Sequence, residues 1–204
     1  MSLFTYEKEE NKTMLETYEW DNTWIEQANC HDVKRVLYIG DSISCGTRRV
    51  ATEQSKEQYL FDGFGTSKAL DNPFLLDSIR LFAAQENRQD AVLFNNGLHG
   101  WHMNDETEYR HYYEKAVQFL VQEFKNIPIF IVLTTSVQKE EREKRVKIRN
   151  NVAIQIAKQY NLPIIDLYTV SSEFSELRSA DGVHFSRDGY IKFADQILSD
   201  ISNI

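Results

Sequence analysis

Three side chains that could together carry out acyl transfer stand in two short segments far apart in the sequence. Ser42 follows four apolar residues and a Gly-Asp pair, while Asp181 and His184 share the segment Asp-Gly-Val-His near the other end. A serine hydroxyl is a weak nucleophile that needs a base within hydrogen-bond reach, and histidine, with an ordinary pKa of about 6.5, can act as that base. A carboxylate on the other ring nitrogen would hold the tautomer and stabilise the imidazolium. These residue types therefore fit nucleophilic catalysis.

Each segment also fits a plainer structural role. Asp41 or Ser42 could cap a helix N-terminus, and residues 181–184 could form a surface turn that Gly182 makes easy. The position of Ser42 favours the catalytic interpretation. A buried strand that stops at Gly40 places the next hydroxyl at the strand's carboxyl end, where open α/β sheets bind ligands. The same hydroxyl then lies at a helix N-terminus, whose N–H groups favour developing negative charge.

Polar residues that follow other predicted strands could stabilise the oxyanion of such a reaction. The candidate donors are the backbone N–H of Ser42, that of Gly63 or Gly65, and the side-chain amide of Asn95 or Asn96. Glycine lets a backbone approach a ligand closely, and a donor aimed at the developing charge is worth on the order of 3 kcal/mol. Asparagine at a strand end is otherwise a common turn former, so both interpretations stay open.

Two histidines and a tryptophan lie just beyond the asparagines. The spacing of His99 and His102 would suit a metal site, but no second His/Cys pair with zinc spacing follows, so we predict no metal and no cofactor. Trp101 could line a substrate pocket or pack in the interior. Together with Gly63, Asn95 and His99, it forms the predicted lining of the substrate pocket.

Five short apolar runs supply the strands that must position these residues. They alternate with segments of helical periodicity and lie at residues 36–39, 59–61, 91–94, 127–133 and 162–167. Their hydrophobicity is continuous rather than alternating, as is typical of strands covered on both faces. We therefore predict an α/β domain of three layers with a five-stranded, mainly parallel sheet. All the carboxyl ends of parallel strands lie at one edge, where the candidate residues would meet.

The most highly charged stretch, residues 139–149, has the pattern of an exposed helix. Glu140 with Lys144 and Glu141 with Arg145 are i,i+4 pairs of opposite charge. We predict a helix whose charged side faces solvent rather than a nucleic-acid surface.

Residues 1–33 carry Tyr18, Trp20 and Trp24 without a helical stripe. We predict an irregular segment or short helix, an extension packed on the domain at residues 34–204 with its aromatic rings buried against it. A surface of tryptophans that stacks on sugar rings is the second interpretation of this segment.

Composition indicates one ordinary globular domain of 204 residues, with 42% hydrophobic residues. A net charge of -8 argues against a nucleic-acid or anionic-membrane partner. The sequence has no apolar run long enough to span a membrane, no signal-peptide pattern at its N-terminus, and too few cysteines, two, for a disulfide framework. We therefore expect a cytoplasmic protein with reduced thiols. The sequence makes no prediction of oligomeric state.

In their order along the chain, these segments resemble the four sequence blocks of the SGNH (GDSL-like) hydrolases. The blocks are Gly-Asp-Ser after the first strand, a glycine after the second, an Asn/Gly cluster after the third and the terminal Asp-x-x-His, and they span about residues 34–200. The resemblance implies a flavodoxin-like sheet and an esterase that uses no metal. It also implies Ser42 as the nucleophile, His184 as the base and Asp181 as the partner of that base.

The resemblance narrows the choice of oxyanion donors. Gly65 is followed by Thr-Ser before a helix, as the second block's glycine usually is, so Gly65 is preferred and Gly63 is the alternative. The third block departs from the family's usual Gly-x-Asn-Asp, because this chain has Asn-Asn-Gly-Leu-His from residue 95 onward. We predict Asn96 as the donor, with Asn95 or His99 as alternatives.

The predicted function is hydrolysis of small acyl esters, in particular acetyl esters, through an acyl-enzyme. The Asn-Asn-Gly-Leu-His variant and the tryptophan-rich start are similar to a bacterial subset often found with carbohydrate metabolism, which favours acylated sugars as the small-molecule substrates.

Three other functions stay open. One is a lysophospholipase or thioesterase acting on longer acyl chains. Another is an inactive carbohydrate-binding protein with Trp20, Trp24 and Trp101 as a ligand shelf. A flavodoxin-like binding or receiver domain is the third, although it would have no need of Asp-x-x-His.

Overall fold

The computed structural model describes residues 15–86 and 88–204, which form helices on both faces of one six-stranded sheet. The strands are β1 (Asp21–Trp24), β2 (Lys34–Gly40), β3 (Tyr59–Thr66), β4 (Ala91–Phe94), β5 (Ile129–Val132) and β6 (Ile164–Ile165). They lie in the order β1-β3-β2-β4-β5-β6, and every neighbouring pair is parallel except β1 with β3. The predicted α/β class with a mainly parallel sheet is confirmed, with six strands instead of five.

In the described part of the chain, six α-helices connect the strands or follow them. They are α1 (Ser42–Gln54), α2 (Leu75–Ala83), α3 (Glu106–Glu123), α4 (Glu140–Gln159), α5 (Leu167–Glu173) and α6 (Arg187–Asp200), with one 3₁₀ turn at Ser175–Leu177. Within the described ranges, no helix has both the length and the apolar character needed to cross a bilayer.

The central strand β2 shows why two layers of helices form. Its side chains alternate between the two faces of the sheet, and all four of its apolar ones are at most 1% exposed. Val36 and Tyr38 pack on the face covered by α1 and α6, whereas Leu37 and Ile39 pack on the face covered by α2 and α3. Burial of both faces requires an unbroken apolar run, which is the pattern that the sequence has there.

The additional strand β1 corrects the prediction of an irregular segment or short helix. It pairs antiparallel with β3 at the sheet edge, from Asp21 opposite Thr66 to Trp24 opposite Gly63. All four of its residues are exposed, and the strand is held by backbone pairing and by polar contacts of Asp21 and Asn22, so it carries no apolar pattern to predict it from. Tyr18 and Trp24, whose rings we expected to be buried, are 46% and 56% exposed. Residues 1–14 of the predicted extension lie outside the described residues, and the boundary at residue 34 stays a prediction.

Strand β3 is also longer than predicted. The expected run ended at residue 61, but the strand continues through Asp62, Gly63 and Gly65 to Thr66, and all eight of its residues are buried. Both glycines therefore lie within the strand and not after it. The strand tolerates them because β1 and β2 hold its backbone from both sides.

A buried ion pair makes the charged residue in β3 compatible with the core. Arg35 Nη2 donates to Asp62 Oδ1 at 2.6 Å and Arg35 Nε to Oδ2 at 2.8 Å, and the two side chains are 5% and 0% exposed. Arg35 also donates to the backbone oxygen of Glu26, whose N–H donates to Asp62. The pair thus ties β2 and β3 to the turn that follows β1.

We expect Arg35→Met to lower the free energy of unfolding by about 3 kcal/mol, because the Asp62 carboxylate would stay buried without its counter-charge. Urea unfolding monitored by circular dichroism measures this change. Arg49→Met is the control, since the pair of Arg49 with Glu53 lies at the surface, and it should change stability little. Equal effects of the two substitutions would contradict this role of the Arg35–Asp62 pair.

Candidate active site

The structure brings Ser42, His184 and Asp181 into one hydrogen-bonded line, although the serine and the histidine are 142 residues apart. Ser42 Oγ lies 2.7 Å from His184 Nε2, and His184 Nδ1 lies 2.7 Å from Asp181 Oδ2. With the ring proton on Nδ1, the histidine donates to the carboxylate and accepts from the serine hydroxyl. This is the arrangement that base-assisted attack by a serine requires. The catalytic roles of the three residues stay a prediction at this point.

The loop before α6 presents the Asp-His pair through its own backbone. Asp181 Oδ1 accepts hydrogen bonds from the backbone N–H of Val183 and of His184, each at 2.9 Å. Gly182, at φ +77°, provides the left-handed conformation that this tight turn needs. Partial burial raises the pKa of Asp181, but the hydrogen bonds from Val183 and His184 outweigh it and hold that pKa below its ordinary value. Asp181 is therefore the charged partner of the histidine at neutral pH.

Ser42 is held at the carboxyl end of β2 as the first residue of α1. Asp41 caps this helix, since its Oδ1 accepts from the backbone N–H of Ile43 at 2.9 Å. Asp41 is only 2% exposed, and its second oxygen, Oδ2, is buried without a hydrogen-bond partner. This burial raises the pKa of Asp41 to about 6, against the opposing effects of the Ile43 N–H and the nearby His184. The helix-cap role considered for the Gly-Asp-Ser segment thus belongs to Asp41.

Gly65, one of the predicted oxyanion donors, lies beside the turn that carries Ser42, but its N–H belongs to the antiparallel ladder with Asn22 of β1 and is not available to an oxyanion, contrary to the prediction. It pairs with Gly40 in β2, and a Cβ placed on it would overlap Cys45 Sγ and lie 3.4 Å from the backbone oxygen of Asp41. Only glycine fits between β3 and α1 at this point. By contrast, Gly63 packs against the Arg48 side chain, which occupies the space of a Cβ there. Gly63 therefore does not line a pocket, contrary to the prediction.

The two asparagines after β4 differ in what their amides bind. Asn95 Nδ2 donates to Val132 O at 2.8 Å and to Thr134 Oγ1 at 3.0 Å, which uses both of its hydrogens. Asn95 is therefore a structural link to β5, and its amide has no hydrogen left to offer an oxyanion. Asn96 Nδ2 donates one hydrogen to Lys68 O at 3.0 Å, so its second hydrogen is the amide donor that this segment can offer a ligand.

His99, the third residue considered for this role, is buried next to the site. It is 6% exposed, and its ring meets Trp20 edge-on with the ring centres 5.9 Å apart. Burial lowers the pKa of His99 to about 3, and the positive charges of Arg149, Arg142 and His184 act in the same direction. Its imidazole is therefore neutral at physiological pH and packs below the surface.

Trp101, predicted as a pocket residue or core residue, belongs to the core. It is 2% exposed and lies under the guanidinium groups of Arg142, Arg145 and Arg149, 4.6 to 5.3 Å from its ring centre. Trp24, in contrast, is mostly exposed at the sheet edge. The tryptophans do not form the common ligand shelf that the carbohydrate-binding alternative requires.

Arg149 is the residue that the sequence analysis missed. Predicted to lie on a solvated helix face, it is 3% exposed, and its guanidinium donates to Gly97 O at 2.9 Å, His99 O at 2.7 Å and Gly100 O at 2.7 Å. It therefore fixes the loop that begins with Asn95 and Asn96. Its spacing could have revealed it, because it lies three residues after the buried Val146 and so shares the apolar side of α4.

Both the sequence and the fold were compared with those of known proteins. No family model matches the sequence, and no curated protein matches it. Solved structures do match. A member of the lipolytic G-D-S-L family from Veillonella parvula has 18% identity and a TM-score of 0.68, over 84% of this chain and 100% of that one. A lipase/acylhydrolase from Enterococcus faecalis has 19% identity and a TM-score of 0.67, over 83% of this chain and 95% of that one. An acetyl xylan esterase has 18% identity and a TM-score of 0.63, over 83% of this chain and 100% of that one.

At identities this low, the structural similarity establishes the fold alone. The chain has the fold of the SGNH (GDSL-like) hydrolases, as the sequence resemblance implied, and the match extends over nearly the whole length of those proteins.

Asp41→Asn should show what burial of the Asp41 carboxylate does to stability. Because the folded-state pKa is raised, the wild-type protein loses stability as pH rises from about 4 through about 6, where this carboxyl ionises. The Asn variant has no such loss, so its free energy of unfolding minus that of the wild type should increase by up to about 3 kcal/mol between pH 4 and pH 7. Urea unfolding at both pH values measures this difference. A pH-independent difference would refute the raised pKa.

Arg149→Met should lower the free energy of unfolding by at least about 2 kcal/mol, because three backbone oxygens of the loop would lose their donor. Chemical unfolding curves measure the loss. Lys147→Met on the same helix is the control, since Lys147 is 63% exposed and reaches Glu143 only at 3.9 Å. If Arg149→Met and Lys147→Met both unfold at the same urea concentration as the wild type, Arg149 does not stabilise the loop.

Proposed function

We propose that this chain, which has the fold of the SGNH hydrolases, is a serine esterase that cleaves small acyl esters. The observation that carries the proposal is the hydrogen-bonded line from Ser42 Oγ through His184 to Asp181, at the carboxyl edge of the parallel sheet. A capping serine or a plain surface turn has no need for a histidine 2.7 Å away that is itself held by a carboxylate.

The first step forms an acyl-enzyme. Ser42 Oγ attacks the acyl carbon while His184 Nε2 takes the hydroxyl proton, and the carbonyl oxygen becomes an oxyanion. The backbone N–H of Ser42 and the second amide hydrogen of Asn96 are the donors we assign to that oxyanion. The bond from the acyl carbon to the alcohol oxygen then breaks, and His184 gives its proton to the leaving alcohol. Asp181 stabilises the imidazolium during both transfers.

The second step releases the acid. A water molecule attacks the acyl carbon while His184 Nε2 accepts its proton, and the ester bond to Ser42 breaks as that proton passes to Oγ. Serine and neutral histidine are thereby restored. Ser42, His184 and Asp181 are already within hydrogen-bond distance of one another, so the folded chain requires no rearrangement of the triad.

Acetylated carbohydrates are the substrate class we propose. Among the proteins with this fold are an acetyl xylan esterase and a carbohydrate acetylesterase from Sinorhizobium meliloti, the latter with 12% identity and a TM-score of 0.66. A long-chain lipase would need an extended apolar groove.

The proposal is tested by covalent labelling with a fluorophosphonate, followed by mapping of the adduct with peptide mass spectrometry. We expect labelling at Ser42 that is lost in Ser42→Ala and strongly reduced in His184→Ala. Hydrolysis of 4-nitrophenyl acetate should fall by about three orders of magnitude or more in both variants, because attack would lack its nucleophile or its base.

Matched controls separate these effects from general damage. Ser172→Ala and His111→Ala remove exposed side chains of the same types and should label like the wild type. Unlabelled wild-type protein with a native circular dichroism spectrum would contradict the proposal and favour the inactive carbohydrate-binding alternative, to be tested with sugar-binding assays.

A further inference from the structure

The Asp-His pair of the proposed triad lies at the tip of a short hairpin, residues 177–186, which we call the Asp-His hairpin. Its two legs pair through the backbone, since Ser179 N donates to His184 O at 2.7 Å and Arg178 lies opposite Phe185 in an antiparallel bridge. Successive side chains of an extended leg point to opposite sides. His184 therefore points to the serine, whereas Phe185, 4% exposed, is directed into the core.

Contacts outside the hairpin set its position relative to Ser42. On one side the hairpin continues into α6, which packs on α1, and a Cβ on Gly46 of α1 would overlap the Tyr190 ring. On the other side lies the segment between β5 and α4, where Gln138 N donates to Gly182 O at 2.8 Å. The distance from the serine hydroxyl to the histidine ring therefore depends on how both sides hold the hairpin.

The Arg178 side chain connects these two sides. Its Nη2 donates to Ser136 Oγ at 2.6 Å and to Ser136 O at 3.3 Å, in the segment after β5. Its guanidinium carbon lies 5.3 Å from the centre of the Phe185 ring, in a cation–π contact. The Phe185 ring in turn meets Phe193 of α6 edge-on, with the ring centres 4.8 Å apart. Arg178 thus joins the segment after β5 to the leg that carries His184.

Ser136 gives this arginine a fixed anchor. It is 4% exposed, and its backbone N–H donates to Ser171 Oγ of α5 at 2.8 Å. A hydrogen bond from a charged guanidinium is roughly twice as strong as one between neutral groups. Without Arg178, two oxygens of a buried serine would lose this donor, and the hairpin would lose its side-chain tie to the segment after β5.

We propose that Arg178 is a positioning residue for the esterase reaction, an inference that rests on the proposed function. It holds the Asp-His hairpin at the distance from which His184 Nε2 can take the Ser42 proton. The Asp181–His184 contact of 2.7 Å lies within the hairpin, as do both backbone hydrogen bonds to Asp181. Loss of Arg178 therefore displaces the pair as a unit, which lengthens the serine–histidine contact and leaves the carboxylate–histidine contact intact.

Arg178→Met tests this role through the pH profile of kcat/KM for 4-nitrophenyl acetate. We expect the plateau to fall between about tenfold and about a hundredfold, because a misplacement of about 1 Å can cost that much. The midpoint of the acidic limb, which reports the titration of His184 in the free enzyme, should stay where it is in the wild type. In Asp181→Asn that midpoint should move to lower pH instead, because the imidazolium would lose its charged partner.

Further variants separate positioning from a general loss of stability. Arg178→Lys keeps a cationic donor for Ser136, although without the planar fork, and should raise the plateau at least about threefold over Arg178→Met. Ser136→Ala removes one acceptor and should lower the plateau about threefold. The double variant Ser136→Ala/Arg178→Met should have the plateau of Arg178→Met, since both changes break one contact. Arg49→Met is the control, because Arg49 is 82% exposed, and its profile should match that of the wild type.

Two outcomes overturn the positioning role and leave the esterase proposal standing. One is a wild-type plateau in Arg178→Met protein that has a native circular dichroism spectrum. The other is an acidic limb that moves as it does in Asp181→Asn, because Arg178 would then act on the carboxylate–histidine pair. If Arg178→Met does not fold, a wild-type plateau in Ser136→Ala overturns the role instead. If the folded wild type neither hydrolyses the ester nor reacts with a fluorophosphonate, the esterase proposal fails and the role of Arg178 falls with it.

Discussion

The parallel pairing of β2 with β3 on one side and β4 on the other is the constraint on which the candidate site depends. It aligns Gly40 with Gly65, and beyond the end of β4 the N–H of Asn95 donates to Ile39 O. Three chain segments that are distant in sequence therefore end side by side at one edge of the sheet. The first turn of α1, the glycine of β3 and the asparagine loop meet there because their strands pair.

Two buried arginines hold the parts that strand pairing does not reach. Arg149 binds three backbone oxygens of the loop after β4, and Arg35 neutralises Asp62 in the middle of β3. Each satisfies polar groups that would otherwise be buried without a partner. Arg149 supports the carboxyl edge of the sheet, and Arg35 supports the strand that brings Gly65 to that edge.

Two carboxyl groups near His184 have opposite environments. Asp181 is 51% exposed and accepts several hydrogen bonds, which lower its pKa, whereas Asp41 is buried, which raises its pKa to about 6. Environments that separate the pKa values of neighbouring acids also separate their roles. Asp181 is suited to hold a charged imidazolium, and Asp41 is suited to begin the helix that presents Ser42.

The sequence by itself determined the class of fold and the three side chains that the structure brings into one hydrogen-bonded line, because both depend on local patterns. Buried parallel strands need unbroken apolar runs, and Gly-Asp-Ser and Asp-x-x-His each fold within a few residues. Only the tertiary structure decided the rest. β1 carries no apolar pattern because its partner strand holds it, and Gly63 and Gly65 lie within β3 because two neighbours stabilise that backbone. Arg149 is buried, Trp101 is core and Asn95 is bound to β5 because of partners tens of residues away. Those contacts exist only once the sheet has formed, so residue spacing alone does not predict them.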